Sequence, residues 1–161
     1  MASEIFLKLP GIDGEATTKG FESWIQLLSY TEGLSQPHSA QVGTGSGAGK
    51  ADWIEFQFSK VTDKSTPKLK EACAKGTHIQ DAKVVIREAG GDSPVEYGLY
   101  EFKDIMVTHI STSGQDGGGK TMDSGTFAYS GYKTTYQSQD EKGAKKDKVE
   151  FAWDIKQNAP A

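Results

Sequence analysis

The sequence predicts an all-β fold: an antiparallel β-barrel of two tightly packed sheets carrying one short α-helix. Three observations predict it. Apolar side chains recur at every second position over most of the chain, which is the period of a half-buried strand. The 19 glycines gather in turn-like connections such as Gly90, Gly91, Asp92, Ser93 and Pro94, and these suit strand-to-strand joins. A single stretch, Lys64 to Gly76, carries helix signals. At 161 residues the chain is expected to form one domain, residues 1–161, large enough to bury its own core.

In chain order, Ile5, Leu7 and Leu9 alternate and open the first strand. A second strand is expected near Ser23 to Thr31, where alternation puts Ser29 and Thr31 on one face with Ile25 and Leu27, and Leu28 and Tyr30 on the other. Ile54, Phe56 and Phe58 then alternate against Glu55, Gln57 and Ser59. In the helical stretch Thr66 is placed as the N-cap, Pro67 at the first helical position and Gly76 as the terminator, with Leu69, Ala72 and Cys73 on the buried face. Further strands are expected at Ile79 to Arg87, Val95 to Ile110 and Thr121 to Gln137. The last, Val149, Phe151, Trp153 and Ile155 against Glu150, Asp154 and Lys156, puts Trp153 on a core parity. Two strands change parity midway, from Tyr100 and Phe102 to Ile105 and Val107, and from Phe127 and Tyr129 to Tyr132 and Tyr136. Bulges, which bend and twist a strand, account for both.

Gly114 to Thr121 reads GQDGGGKT and fits the nucleotide-binding pattern G-x-x-x-x-G-K-[ST]. That loop holds phosphate only when a helix follows it, because the helix N-terminus supplies part of the positive potential. Here the residues after it, Asp123 to Tyr136, carry glycines, β-branched residues and aromatics at strand spacing. The second glycine run, Gly43, Thr44, Gly45, Ser46, Gly47, Ala48, Gly49 and Lys50, misses the pattern at Thr44 and Ala51 and also leads into a strand. Both are expected to be connections with no nucleotide bound.

Composition narrows the remaining classes. A net charge of −4 with acidic and basic side chains interspersed argues against a nucleic-acid surface, and the Lys142 to Lys148 cluster reads as a solvated turn. No apolar run is long enough for a membrane span. The opening residues lack a basic leader and a long apolar stretch, so no ordinary secretory signal is expected and folding is expected to be cytoplasmic. Cys73 stands alone, and His38, His78 and His109 have no partner at metal-ligand spacing. No catalytic, metal or cofactor-binding residues are assigned, so the residues by themselves describe a soluble β domain that acts by binding or assembly. A sugar-binding β-sandwich is the alternative, with Trp24, Trp53 and Trp153 as stacking candidates.

Motifs in order along the whole chain resemble the haemolysin-coregulated protein (Hcp) family, the tube subunit of the bacterial type VI secretion system. They are Ile5 to Glu15, Leu34 to Gln36 with the glycines that follow, Asp63 to Leu69, Ala72-Cys73 to His78, Arg87 to Gly91, Tyr100 to Ile110, and Trp153 to Asn158. The family's aromatic stretch ending in W-G is replaced here by Tyr30, Thr31, Glu32 and Gly33, and the loop Gln115 to Lys120 is peculiar in composition. The resemblance implies a barrel subunit that forms a homohexameric ring. Rings would stack into a tube beneath a spike protein, be driven out by a contractile sheath without a signal peptide, and carry small effectors in the lumen. It further implies that Gly43 to Lys50 is the ring-stacking loop and that the strand bearing Ser29 and Thr31 borders the lumen.

Overall fold

The computed structural model describes residues 2–37 and 49–161. Among these, ten strands and one helix follow in order: β1 (Ser3–Lys8), β2 (Ile25–Leu27), β3 (Ser29–Ser35), β4 (Asp52–Val61), α1 (Ser65–Lys75), β5 (His78–Glu88), β6 (Glu96–Ser113), β7 (Met122–Ala128), β8 (Gly131–Gln139), β9 (Lys145–Asp154) and β10 (Ala159–Pro160). Every ladder is antiparallel. The all-β expectation with one short helix holds.

The long strand β6 organises the fold. One edge pairs with β5 from Glu96 to Met106. Along the other, the chain runs back as β7, from Ser113↔Met122 to Met106↔Ala128, and then as β8, from Lys103↔Gly131 to Gly98↔Tyr136. β4 and β3 continue outward from β7, while β9 and β10 continue outward from β8. The result is two sheets that share β6: β3-β4-β7-β6 and β10-β9-β8-β6-β5-β1-β2.

The parity change read in β6 lies at Asp104, which takes φ 53°. Phe102 and Ile105, three positions apart, are both fully buried as a consequence. Across the ladder the second change falls between β7 and β8, where Ser130 donates from Oγ to Asp104 Oδ2 at 2.8 Å and Phe127 and Tyr132 both enter the core. Tyr136, expected on the same buried parity, is exposed.

The core lies between the two inner faces. Phe56, Phe58, Val107 and Phe127 of the shorter sheet meet Leu7, Ile25, Val84 and Phe102 of the longer one, with Leu69 and Ala72 of α1 closing one end. Gly125 is required here because a Cβ at that position would stand 2.5 Å from the Phe58 ring. The outer face of the long sheet carries a second cluster, in which Phe21 stacks on Phe6 at 4.4 Å. To reach it, the segment after β1 passes so close to β2 that a Cβ on Gly14 would lie 2.5 Å from the Trp24 carbonyl oxygen.

Four expectations are corrected. The barrel does not close as a continuous ladder. β2 and β3 are separate elements joined through Leu28, whose N–H donates to Ser59 O at 2.8 Å. At that junction the face switches, so Ile25 and Leu27 point inward, Leu28 and Ser29 are exposed, and Tyr30 turns back against the core. In β4 a bulge opposite Thr31 to Gly33 breaks the alternation, so Trp53 faces the core and Ile54 is exposed. Thr66 does not cap α1: the Asp63 carboxylate takes the Ser65 N–H at 2.9 Å, and Thr66 turns inward. Gly76 ends the helix as expected, with φ 62°, and Cys73 is half-buried against the core.

Candidate functional site

Two surfaces and one buried cluster carry the chemistry of this chain. The first surface exists because the two sheets differ in width. The inner face of the long sheet continues past the core onto β8 and β9, where Tyr132 pairs with Trp153, Thr134 with Phe151 and Tyr136 with Val149. The short sheet reaches only part of this overhang. Trp53 of β4 stacks on Phe151 at 6.4 Å and tilts against Tyr132 at 5.0 Å. Beyond that point nothing within the described residues covers the face: Val149 is 65%, Tyr136 56% and Phe151 40% exposed, and Leu34, paired with Trp53, is 46% exposed. The expected core parity of β9 is therefore correct in direction and wrong in burial. Trp153 Nε1 is buried at this place without a hydrogen-bond partner among the described residues.

Beneath Trp53 lies a phenol cluster. Tyr132 donates to Glu32 Oε2 at 3.1 Å, and the Tyr30 and Tyr100 hydroxyls are 3.5 Å apart. Burial, reinforced by Glu32, pushes the Tyr132 and Tyr129 hydroxyls well above the usual phenol range. Burial and the Tyr30 hydroxyl do the same to Tyr100. These groups stay neutral and serve as packing with a hydrogen-bonding edge.

The second surface is the outer face of the short sheet. Ser29, Ser59, Ser124 and Ser111 pair in register across β3, β4, β7 and β6, and Thr31, Gln57, Thr126 and His109 form the neighbouring row. Ser29 and Thr31, the two lumen candidates, are both exposed on it. The Ser29 and Ser59 hydroxyls are 2.5 Å apart. Glu55 accepts from Thr108 Oγ1 at 2.6 Å at the margin of this face. The row was missed from sequence because cross-strand register is not visible in one strand at a time.

The buried cluster joins α1 to the shorter sheet. Lys60, with no exposed side chain, donates to Asp63 Oδ1 at 2.8 Å and Thr66 Oγ1 at 2.9 Å and pairs with Asp123 Oδ2 at 2.8 Å. Thr62 and Thr112 donate to Asp123 Oδ1, and Thr66 donates to Oδ2. Burial pushes the Asp123 carboxyl up, but the bonds from Lys60, Thr66, Thr112 and Thr62 outweigh it and hold the group at about 2. All its oxygens are satisfied from within the chain, so the cluster reads as a structural joint. Sequence alternation gave no hint of it, because Lys60 and Asp123 look like surface charges.

The other expected positions are scattered. Gly43, Thr44, Gly45, Ser46, Gly47 and Ala48 lie outside the described residues, as does His38; Gly49 and Lys50 precede β4. Gly114 to Thr121 joins β6 to β7, so strands flank the glycine loop on both sides. His78 and His109 are exposed on different strands. Trp24 packs edge-on against Phe21 at 4.9 Å, and all three tryptophans are half-buried. Among the described residues no group of three His, Cys, Asp or Glu is gathered as a metal site, and no helix is long and apolar enough to cross a membrane.

Comparison with known proteins gives a consistent result. Residues 6–136 match the family model described as "Type VI secretion system effector, Hcp". The chain is 37% identical over 162 residues to Protein hcp1 of Pseudomonas aeruginosa, covering all of both. It superposes on a structure described as a type six secretion system protein with a TM-score of 0.93, 26% identity and coverage of 99% of this chain and 100% of that one. Hcp1 from Salmonella typhimurium gives a TM-score of 0.81 and 30% identity with both chains fully covered.

Proposed function

Since the chain belongs to the Hcp family of type VI secretion system proteins and has the role of a tube subunit, we propose that it assembles as a hexameric ring and that these rings stack into the tube. The observation that carries this reading is the uncovered inner face of β8 and β9. Val149, Tyr136 and Phe151 extend the core's own apolar surface into solvent, and a contiguous patch of this kind is stabilised by a partner. A closed ring covers the same patch on every copy at once.

Within this reading the chain works as one domain over residues 1–161. Gly43 to Lys50 reaches the adjacent ring, where glycine allows close approach of two backbones. Ser29 and Thr31 border the lumen, and their short polar side chains suit a wetted wall. The ring carries small effectors beneath a spike protein, and the whole is expelled by a contractile sheath. The role is mechanical, with no catalytic step, no cofactor and no nucleic acid.

Native mass spectrometry of the purified chain at micromolar concentration tests it. A homohexamer is expected, and a strictly monomeric mass rejects the ring.

A further inference from the structure

We infer that the hollow between α1 and the start of β5 is a docking site for an acidic segment of another protein, one that seats an apolar side chain between carboxylates. The local geometry of two turns makes this hollow of about 510 Å³. Gly76 takes φ 62° and ends the helix, and Thr77 N–H donates to Ala72 O at 3.0 Å. The chain therefore turns straight into β5 and brings His78 and Gln80 beside the last turn of α1. On the other side Ile12 N–H donates to Leu9 O at 3.1 Å across a turn in which Gly11 takes φ 78°, and this return holds Pro10 and Ile12 against the same place. The floor is apolar, with Ile12, Ala72 and Ile79 all buried. The rim carries Lys68, Lys75 and His78.

Charge on this side of the molecule runs against the rest. Lys64 to Lys75 hold four lysines and one glutamate, a net +3 in a chain whose net charge is −4. Lys68 has no ion-pair partner among the described residues. Lys75 pairs with Glu71 at 2.6 Å, but the two side chains are 66% and 59% exposed, and an ion pair so open to water is weak enough for an incoming carboxylate to displace. The apolar floor adds what charge attraction lacks: burial of a side chain, which fixes where the segment sits. A nucleic acid fits poorly, since the lining holds no Phe, Tyr or Trp on which a base could stack, and Glu71 on the rim repels a phosphate backbone. The chain's own glycine segment does not supply the occupant, because residues 38–49 contain no carboxylate side chain. Neither the ring nor its stacking is needed for this site.

The probe is a fluorescein-labelled, amidated octapeptide of six glutamates with leucine at its third and sixth positions, titrated with the full-length protein at low ionic strength and followed by anisotropy. Saturable binding is expected. The double variant Lys68→Gln, Lys75→Gln should weaken it about tenfold, whereas Lys145→Gln, Lys146→Gln, which removes the same charge from the start of β9, should leave the affinity within about a factor of two. All four positions are exposed, and circular dichroism and melting check that both variants fold. Replacing both leucines of the peptide by alanine should also weaken binding to the parent. Equal loss in the two variants, equal affinity for the leucine and alanine peptides, or no binding by the parent overturns the site, the first two because they leave only attraction by net charge. A thymidine oligonucleotide of the same charge that displaces the peptide at equal concentration overturns the choice of an acidic protein segment. So does a native mass that differs between the parent and Lys68→Gln, Lys75→Gln, because the hollow would then cover a second copy of this chain. The parent's own mass tests the ring separately, and a monomeric parent leaves every arm of this titration in force.

Discussion

Lys60 and Asp123 are the residues on which the joint between α1 and the shorter sheet depends. Two buried charges at 2.8 Å are tolerated because each is fully hydrogen-bonded, and removing one strands the other. Lys60→Met is therefore expected to lower stability by about 3–5 kcal/mol, read as a lower urea midpoint. The pH dependence follows from the direction of the Asp123 shift. Its folded value of about 2 lies below the ordinary 3.8, so the carboxylate's contribution is fully present above the ordinary value and is lost as pH falls through about 2. That contribution amounts to roughly 2 kcal/mol. Comparing the parent with Asp123→Asn, the gap in melting temperature should be constant near neutrality and shrink between about pH 4 and pH 2; a gap that persists to the lowest pH would rule the carboxylate out as its source.

At the scale of elements, most of the strands were legible because period-two alternation is set by one strand's own geometry. The face change at Asp104 was legible too, since Phe102 and Ile105 cannot both be buried on one regular face. The changes at Leu28 and beside Ile54 were not, because a bulge is defined by the partner's register, here β4 against β3. The exposure of Val149 and Phe151 was illegible for a related reason: alternation gives the face a side chain points to, and burial depends on how far the opposing sheet extends. For the sites, Ser29 and Thr31 were found as exposed polar positions, whereas the serine row that continues them required the ladder. Close packing between the sheets makes Gly125→Ala costly. The added methyl meets the Phe58 ring at 2.5 Å, and about 1–3 kcal/mol of destabilisation is expected from such overpacking, measured by chemical denaturation. An unchanged midpoint would mean that the ring can move aside.

Over the whole molecule, residues 43–49 fall between β3 and β4 in the sequence. Shortening this segment should leave the melting temperature and ring mass unchanged while weakening ring-on-ring stacking, scored by tube length in electron micrographs. Normal tubes from the shortened chain would make the segment a simple connector. The sharing of β6 between both sheets reaches further, into how the protein comes apart. Neither sheet is complete once β6 is released, since β5 and β8 hold one half of β6 and β7 holds the other. The two halves are consequently one cooperative unit, and equilibrium unfolding should pass directly from native to denatured chain. Tryptophan fluorescence, reporting on Trp24 at one sheet and Trp53 at the other, and far-ultraviolet circular dichroism should then trace a single coincident denaturant transition in a Val149→Glu background, where a charge on the exposed β9 face removes the contribution of subunit dissociation; two separated transitions would mean that β6 can release one sheet while keeping the other.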